Sequence, residues 1–300
     1  LREHYIHDYE TNFGRDTNNN FYKSKYYFKL SRNEILKGNS ILKDLRINKD
    51  DKIVLLFIRD SQYLNKEYTN SVSWDYHNYR DWNEQNFIPS IMTLIKTGYT
   101  VIRMGKTAKN KINLEHEKFI DLPFTKLRTD FLDIYLSYKC DFGYGTDLGS
   151  GHLVNMLFRK PFCGFWTSIF EIHTYLKCTM FANKRIFWAE NQKEIGFKDI
   201  VRLNLYKRLN HNKLLKENKI IIKENSPNEI SKIIEEFIMK INNNWHQSES
   251  DKLIENKFWK IYPSNEIVDD SKRNISYRMH GKKINCNFST VFLKNNFLLG

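Results

Sequence analysis

The stretch Ile53-Val-Leu-Leu-Phe-Ile58 is an unbroken apolar run, and charged residues flank it on both sides. A strand that is covered on both faces of a parallel sheet shows this pattern, because neither of its faces has to meet water. The run therefore predicts a strand at the centre of a parallel sheet. Arg59 and Asp60 end it abruptly.

Outward from this strand, strand-like and helix-like segments alternate. A helix at 30–45 precedes it, and Ser31 and Glu34 form a capping-box pair at its start. Further strands are predicted at 99–104, 119–122, 141–144 and 161–165, and helices between them at 83–97, 129–138 and 149–159. This alternation predicts an α/β fold with a doubly wound, parallel, Rossmann-like sheet and extra terminal helices.

The chain divides into three segments. Residues 1–50 are interpreted as an N-terminal segment with a lead-in helix, 51–245 as the Rossmann-like domain, and 246–300 as a helical tail. Beyond the main alternation, weaker strands are predicted at 185–189 and 219–223. Long helices are predicted from Ser226 to about Trp245 and at 249–261.

Composition narrows the class of partner. The 300 residues carry 48 Lys and Arg against 35 Asp and Glu, a formal charge of +13 that favours anionic ligands. The excess is lysine spread along the chain, without the basic blocks of a nucleic-acid arm, so nucleic acid is not an expected partner. A basic surface also suits peripheral contact with a membrane that carries a lipid-linked acceptor.

Location is predicted from what the sequence lacks. No stretch approaches the roughly 18 to 20 apolar residues of a transmembrane helix, and no export signal opens the chain. The four cysteines have no C-x-x-C spacing and are expected to be buried thiols in a reducing compartment. The sequence predicts a cytoplasmic protein, at the inner face of the membrane, without a metal or a cofactor.

Ligands of open parallel sheets bind beyond the carboxyl ends of the strands. Residues that follow the predicted strands, together with one arginine inside the second, are therefore expected to converge on one edge. They are Arg59, Asp60, Ser61, Arg103, Gly105, Lys106, Gly145, Thr146, Asp147, Trp166, Thr167 and Ser168.

The sharpest feature of that edge is Gly143-Tyr-Gly-Thr-Asp-Leu-Gly-Ser-Gly151, where a strand turns through glycines into a helix. Such a turn presents backbone N–H groups and the positive end of a helix dipole to an anion. A diphosphate is expected to bind there, and the residues assigned to it are Gly145, Thr146, Gly149, Ser150 and Gly151. The alternative is a tight connection that needs glycine only for backbone freedom. His152, on the first turn of that helix, is a further candidate.

Other candidate residues come from the first strand and the loop after it. Arg59 can bind a phosphate through forked hydrogen bonds, or it can form an ion pair at the strand end. Asp75 or His77 can act as the general base toward a sugar hydroxyl, and Arg80 can contact a phosphate. The alternative is that the segment ending at Asp81 caps the next helix.

The carboxylates of the 129–138 helix do not suggest a metal. Asp130 and Asp133 lack the D-x-D spacing that metal-dependent glycosyltransferases often show, and Asp130 is interpreted as a helix cap.

Five motifs in a fixed order resemble a little-characterised family of bacterial proteins, classed as glycosyltransferases, found among surface-polysaccharide genes. The resemblance runs from about Leu30 to the closing F-L-K-N-N-F-L-L. The motifs are F-I-R-D-S-Q-Y-L at 57–64, Y-H-N-Y-R-D at 76–81, G-Y-T-V-I-R-M-G at 98–105, R-T-D-F-L-D-I-Y-L at 128–136 and G-T-D-L-G-S-G at 145–151.

The resemblance implies a GT-B arrangement of two Rossmann-like domains, distantly similar to fucosyltransferase folds, in which the C-terminal domain holds the donor. Arg59 and Arg80 would match the family's arginines, and 146–151 its phosphate turn. Asp147 departs from the family's hydroxyl-rich turn and brings a negative charge beside the diphosphate. The implied activity is metal-independent transfer of a sugar from a nucleoside diphosphate to a glycan hydroxyl. The resemblance makes 51–245 the nucleotide-sugar-binding domain and 1–50 the remnant of an upstream acceptor domain, much of which would be missing.

Two other classes of function stay open on the sequence. One is a different GT-B-like enzyme, such as a nucleotide-sugar epimerase or a pyruvyl transferase. The other is a module that binds a nucleotide or a glycan without catalysis.

Overall fold

The structure, a computed structural model, describes residues 28–67, 75–146, 149–167, 179–203, 205, 213–261, 267–270, 275–278 and 287–295. Its main sheet has seven strands. They are β1 Lys52–Phe57, β2 Tyr99–Met104, β3 Phe119–Asp121, β4 Phe142–Thr146, β5 Phe162–Trp166, β6 Thr179–Asn183 and β11 Asn287–Phe288. Their order across the sheet is β3-β2-β1-β4-β5-β6-β11, and all neighbouring pairs are parallel.

The order 3-2-1-4-5-6 is that of the doubly wound Rossmann fold, so the predicted fold class is confirmed. Strand β1 lies at the centre, between β2 and β4, as its apolar run predicts. The strand order reverses at β1 and β4, because the chain leaves β1 toward one side of the sheet and β4 toward the other.

Helices cover both faces of the sheet. The helices are α1 Arg32–Asp44, α2 Gln62–Glu67, α3 Ile88–Lys96, α4 Asp130–Lys139, α5 Phe197–Arg202, α6 Lys213–Lys216, α7 Pro227–Ile241, α8 Glu249–Ile261 and α9 Thr290–Asn295. Short 3₁₀ turns occupy Asp75–Arg80, Glu84–Phe87 and Leu122–Phe124. The capping box of α1 is confirmed, since the Ser31 hydroxyl accepts from the Glu34 N–H and the Glu34 carboxylate accepts from the Ser31 N–H.

Alternate residues of β1 enter two separate cores. Val54 and Leu56 pack in the core that includes α3 and α7, whereas Leu55 and Phe57 pack with α1 and α4 on the other face. All four side chains are fully buried, and each such burial stabilises the fold by roughly 1.5–3 kcal/mol. The sheet is therefore fixed from both sides, and its carboxyl edge is left for a ligand.

The structure refines the predicted secondary structure in three places. The helix predicted at 149–159 is present in a shorter form, as a turn at 149–150 and helical residues 151–157, of which Leu153–Leu157 form a π-helix. The strands predicted at 185–189 and 219–223 are confirmed as β7 Arg185–Trp188 and β8 Ile220–Lys223, which pair with each other in an antiparallel hairpin outside the main sheet. Strand β6 was not predicted, because Thr-Met-Phe-Ala-Asn neither alternates nor forms a long apolar run.

The segment predicted as a helical tail contributes more than helix α8. Its strand β11 joins the main sheet beside β6, and a hairpin of β9 Ile267–Asp270 and β10 Ile275–Arg278 precedes it. Among the described residues, no helix has both the length and the apolarity that spanning a bilayer requires.

Two cysteines can be compared with the prediction of buried thiols. Cys140 and Cys163 are buried free thiols, as predicted, and burial raises the pKa of Cys140 to about 12. Cys178 and Cys286 lie outside the described residues.

Candidate functional site

A cleft of about 420 Å³ opens at the carboxyl edge of the sheet, where the strand order reverses. Residues that follow β1, β2 and β4 meet there with the first turn of α4. This is the position at which open α/β sheets bind their ligands. The residues that line the cleft are Ile58, Asp60, Tyr63, Met104, Gly105, Lys106, Thr107, Arg128, Asp130, Asp133, Gly149 and Ser150.

The glycine-rich turn divides into residues that line the cleft and residues that hold the sheet. Gly149 and Ser150 line the cleft, and a Cβ on Gly149 would have no atom of the described residues within 4 Å. Gly145 has φ +129°, and a Cβ there would lie 1.9 Å from the carbonyl oxygen of Phe57. A Cβ on Gly151 would meet the ring of Phe162 at 3.2 Å. Gly145 thus has the structural role that the sequence left open, and Asp147 lies outside the described residues.

Thr146 joins the ends of β1 and β4. Its hydroxyl oxygen accepts a hydrogen bond of 2.6 Å from the backbone N–H of Arg59, and the residue is buried. This bond fixes where the chain leaves β1. Phosphate binding by Thr146 stays a prediction.

The Arg59 guanidinium contacts a carboxylate. Its Nη1 atom lies 2.5 Å from Oδ1 of Asp81, and the two side chains are 9% and 23% exposed. Burial raises the pKa of Asp81 more than the Arg59 charge lowers it. The strand-end ion pair that the sequence allowed is therefore present, and phosphate binding by Arg59 stays a prediction.

A buried lysine that sequence reasoning missed completes this cluster. Lys184 follows β6, and its ammonium donates to the backbone carbonyls of Tyr79, at 3.2 Å, and of Asp81. It lies 4.7 Å from the centroid of the Trp82 ring. Burial lowers the pKa of Lys184 to about 8. Because β6 was not recognised, nothing in the sequence placed Lys184 at this edge.

The predicted catalytic residues lie on the 3₁₀ turn Asp75–Arg80. Asp75 is exposed and accepts a hydrogen bond of 3.2 Å from the Asn78 amide. Arg80 is half-buried, and the side chain of His77 is outside the described residues. None of these three is among the described residues that line the cleft. Their roles stay predictions.

The two helix caps are not the residues that the sequence suggested. Asn83, and not the segment ending at Asp81, caps the next helical turn by accepting from the Gln85 N–H at 3.0 Å. Thr129, and not Asp130, caps α4 by accepting from the Leu132 N–H at 3.1 Å. Asp130 is left exposed at the mouth of the cleft.

Cations and carboxylates line the cleft together. Arg128 lies 2.7 Å from Asp130 and 2.5 Å from Oδ2 of Asp133, whereas Oδ1 of Asp133 is buried and has no hydrogen-bond partner among the described residues. Burial raises the pKa of Asp133 despite the Arg128 charge. Lys106, which follows β2, also lines the cleft and is exposed.

Both carboxylate oxygens of Asp60 already accept hydrogen bonds from the backbone of this chain. Its two oxygens accept from the N–H groups of Gln62 and Lys109, both at 2.9 Å. Arg103, which the sequence put on the edge list, is buried behind it and lies 3.8 Å from Asp60 and 3.4 Å from Asp121. Asp130 and Asp133, by contrast, each contact Arg128 through one oxygen, and Asp130 is exposed whereas the second oxygen of Asp133 is buried.

Comparisons of this chain with known proteins found a structural similarity but no match to a family model or a curated sequence. Among solved structures, the chain is similar to the crystal structure of a glycosyl transferase family 9 protein from Veillonella parvula DSM 2008, with a TM-score of 0.35 and 9% identity. The match covers 52% of this chain and 42% of that one, so this chain matches less than half the length of that protein. The fold assignment rests on the strand order of this chain.

The cleft combines a backbone turn with side chains of both charges, since Asp60, Asp130 and Asp133 line it together with Lys106 and Arg128. Gly149 leaves room at a backbone turn, Lys106 and Arg128 supply positive charge, and Asp133 supplies an oxygen that can accept a proton or a hydroxyl hydrogen bond. Among the described residues, no group of three or more His, Cys, Asp and Glu side chains is arranged to hold a metal ion. Metal independence stays a prediction.

Proposed function

We propose that this cleft binds the diphosphate of a nucleotide sugar, and that the chain is a metal-independent glycosyltransferase acting in surface-polysaccharide synthesis. The observation that carries the proposal is the position of Gly149 and Ser150, beside Lys106 and Arg128, in the cleft where the strand order reverses.

Each part of the cleft has a use in holding a diphosphate. A glycine without neighbours lets phosphate oxygens approach the backbone closely, and the Ser150 hydroxyl can donate to them. Lys106 follows β2 and Arg128 precedes α4, and both line the cleft, where they can contribute to neutralising a diphosphate. Arg128 forms an ion pair with Asp133, so a carboxylate lies beside the cations.

The transfer follows from this arrangement. The acceptor hydroxyl oxygen forms a bond to the anomeric carbon as the bond from that carbon to the diphosphate oxygen breaks. The leaving diphosphate takes the bonding electron pair, and the cations stabilise its charge. Asp133 accepts the hydroxyl proton, and its raised pKa suits a general base. Asp75 and His77 remain the bases predicted from the sequence, and a lipid-linked glycan remains the proposed acceptor.

Calorimetric titration with UDP, GDP, CMP and their sugar conjugates tests the donor site. We expect one nucleotide to bind saturably. Gly149→Val fills the open space and is expected to weaken binding at least about tenfold, and Lys106→Ala about fivefold, the effect of one charged contact. Lys109→Ala is the matched control, because this exposed lysine of the same loop is outside the cleft lining. Absence of nucleotide binding, or full binding by Gly149→Val, would refute the site.

The catalytic assignment has its own test. Asp133→Asn is expected to keep nucleotide binding and to lose at least about a hundredfold in transfer, the usual contribution of a general base. Asp75→Asn is the comparison for the base predicted from the sequence. Product analysis with and without an acceptor, in the presence of a chelator, separates transfer from epimerisation and tests metal independence.

A further inference from the structure

A second cavity, of about 590 Å³, lies at the opposite edge of the sheet. Pro161 precedes β5, Thr179 begins β6 and Asn287 begins β11, so the cavity faces the amino ends of these strands. Its other walls come from the end of α7, the segment after it, and α8. The volume is within the roughly 300–1,000 Å³ of small-molecule sites.

Two buried polar atoms of residues that line this cavity have no hydrogen-bond partner among the described residues. They are the hydroxyl oxygen of Thr179 and the indole Nε1 of Trp245. Thr179 is fully buried. A buried polar group without a partner is destabilising, and a buried tryptophan N–H usually has an acceptor. These atoms indicate a wall that is completed by a hydrogen-bonding ligand.

The rest of the wall combines an apolar floor with neutral polar groups. Met180, Phe237 and Ile241 form the floor. Asn243 and Gln247 add side-chain amides, which both donate and accept hydrogen bonds. This combination matches a ligand that has C–H faces and several hydroxyl groups.

The charges at this cavity are balanced, unlike those expected of a phosphate site. Lys240 is paired with the buried Glu236 at 2.6 Å and lies over the Trp245 ring. The Glu255 carboxylate accepts from the Gln247 amide at 2.8 Å. The cavity also faces the carboxyl end of α7, which carries the negative end of the helix dipole. A neutral ligand therefore fits here better than an anion.

We propose that this cavity is a second ligand site, which binds a neutral sugar unit of a glycan. It is separate from the cleft and stands independently of the proposed transfer reaction. If that reaction is correct, the same chain holds the glycan at one sheet edge and the nucleotide at the other.

The indole N–H resonance of Trp245, assigned by its loss in Trp245→Phe, reports directly on the cavity. We would titrate ¹⁵N-labelled protein with glucose, galactose, mannose, rhamnose and N-acetylglucosamine to tens of millimolar, and separately with UDP and phosphate. At least one sugar is expected to shift the Trp245 signal saturably, whereas UDP and phosphate leave it in place. The signals of Trp82 and Trp188, which lie elsewhere, serve as internal references.

Matched variants localise the effect. Thr179→Val keeps the shape and removes the unpartnered hydroxyl, so the sugar is expected to bind about fivefold more weakly. Gln247→Ala, at an exposed position that leaves folding intact, is expected to weaken binding similarly. Thr100→Val makes the same change at a buried threonine of β2 and is expected to leave binding unchanged.

Three results overturn the proposal: no sugar moves the Trp245 signal, UDP or phosphate moves it, or both Thr179→Val and Gln247→Ala bind as tightly as the unaltered chain. A failed nucleotide titration would not produce any of these, because it reports on the Gly149 cleft.

Discussion

Gly145→Ala and Gly149→Ala make the same change at two glycines of one segment, and only the first is expected to lower the free energy of unfolding substantially. At Gly145 the new Cβ would lie 1.9 Å from the Phe57 carbonyl oxygen, although real Cβ contacts are essentially never under 3.0 Å. The two central strands would have to separate by about an ångström. Overpacking of this kind costs about 1–3 kcal/mol and the positive φ about 1–2 kcal/mol more, so we expect a loss of about 3 kcal/mol. At Gly149 no atom in the described part of the chain lies within 4 Å of the new Cβ, and the change is expected to stay within about 1 kcal/mol.

Guanidinium-chloride unfolding, followed by tryptophan fluorescence and circular dichroism, measures the free energy of unfolding of both variants against the unaltered chain. The reasoning is refuted if Gly145→Ala is as stable as the unaltered chain, or if Gly149→Ala loses as much stability as Gly145→Ala. The first result would mean that the strands do not approach as closely as described, and the second that Gly149 is packed.

Two further predictions concern buried charges. The buried Glu236 carboxylate accepts hydrogen bonds from Ser289, Thr290 and Val291 and also pairs with Lys240. Glu236→Gln is therefore expected to lose about 3 kcal/mol of unfolding free energy, whereas Glu235→Gln, at an exposed position, is expected to lose about 0.5 kcal/mol or less. Equal denaturation midpoints for the two variants would contradict this prediction. Lys184 releases its proton near pH 8 in the folded chain and near 10.5 when unfolded, so the unfolded state binds more protons between these values. The stability of the unaltered chain relative to Lys184→Met should therefore rise from pH 8 to 10.5, and a flat difference across a pH series of unfolding curves would count against the buried ammonium.

The central elements of the fold could be predicted because their signals are local. The run Ile53–Ile58 and the capping box at Ser31 and Glu34 depend on neighbours within one turn or one strand, and both are confirmed. Strand β6 and the separate hairpin of β7 and β8 could not be predicted. Their pairing depends on partners far along the chain, which periodicity does not identify.

The position of the cleft in the sheet could be predicted from the sequence better than the side chains that line it. The rule that ligands bind at the carboxyl ends of parallel strands placed Gly149, Ser150 and Lys106 at the cleft, where they are found. The rule does not say where each side chain points. Arg59 turns to Asp81, and Gly145 is required by its contact with Phe57.

The sequence by itself determined the fold class, the central strand and the sheet edge at which a ligand is expected, because apolar runs, caps and glycines act over a few residues. Only the tertiary structure decided that Arg128 and Asp133 share the cleft with the residues after β1, β2 and β4, and that Lys184 is buried beside Asp81. It also decided that a second cavity faces the other edge, lined by residues whose Thr179 hydroxyl and Trp245 indole N–H have no hydrogen-bond partner among the described residues. These arrangements bring together segments that are distant in sequence, so they arise when the sheet assembles, and the free energy that fixes them comes from burial and pairing across the whole fold.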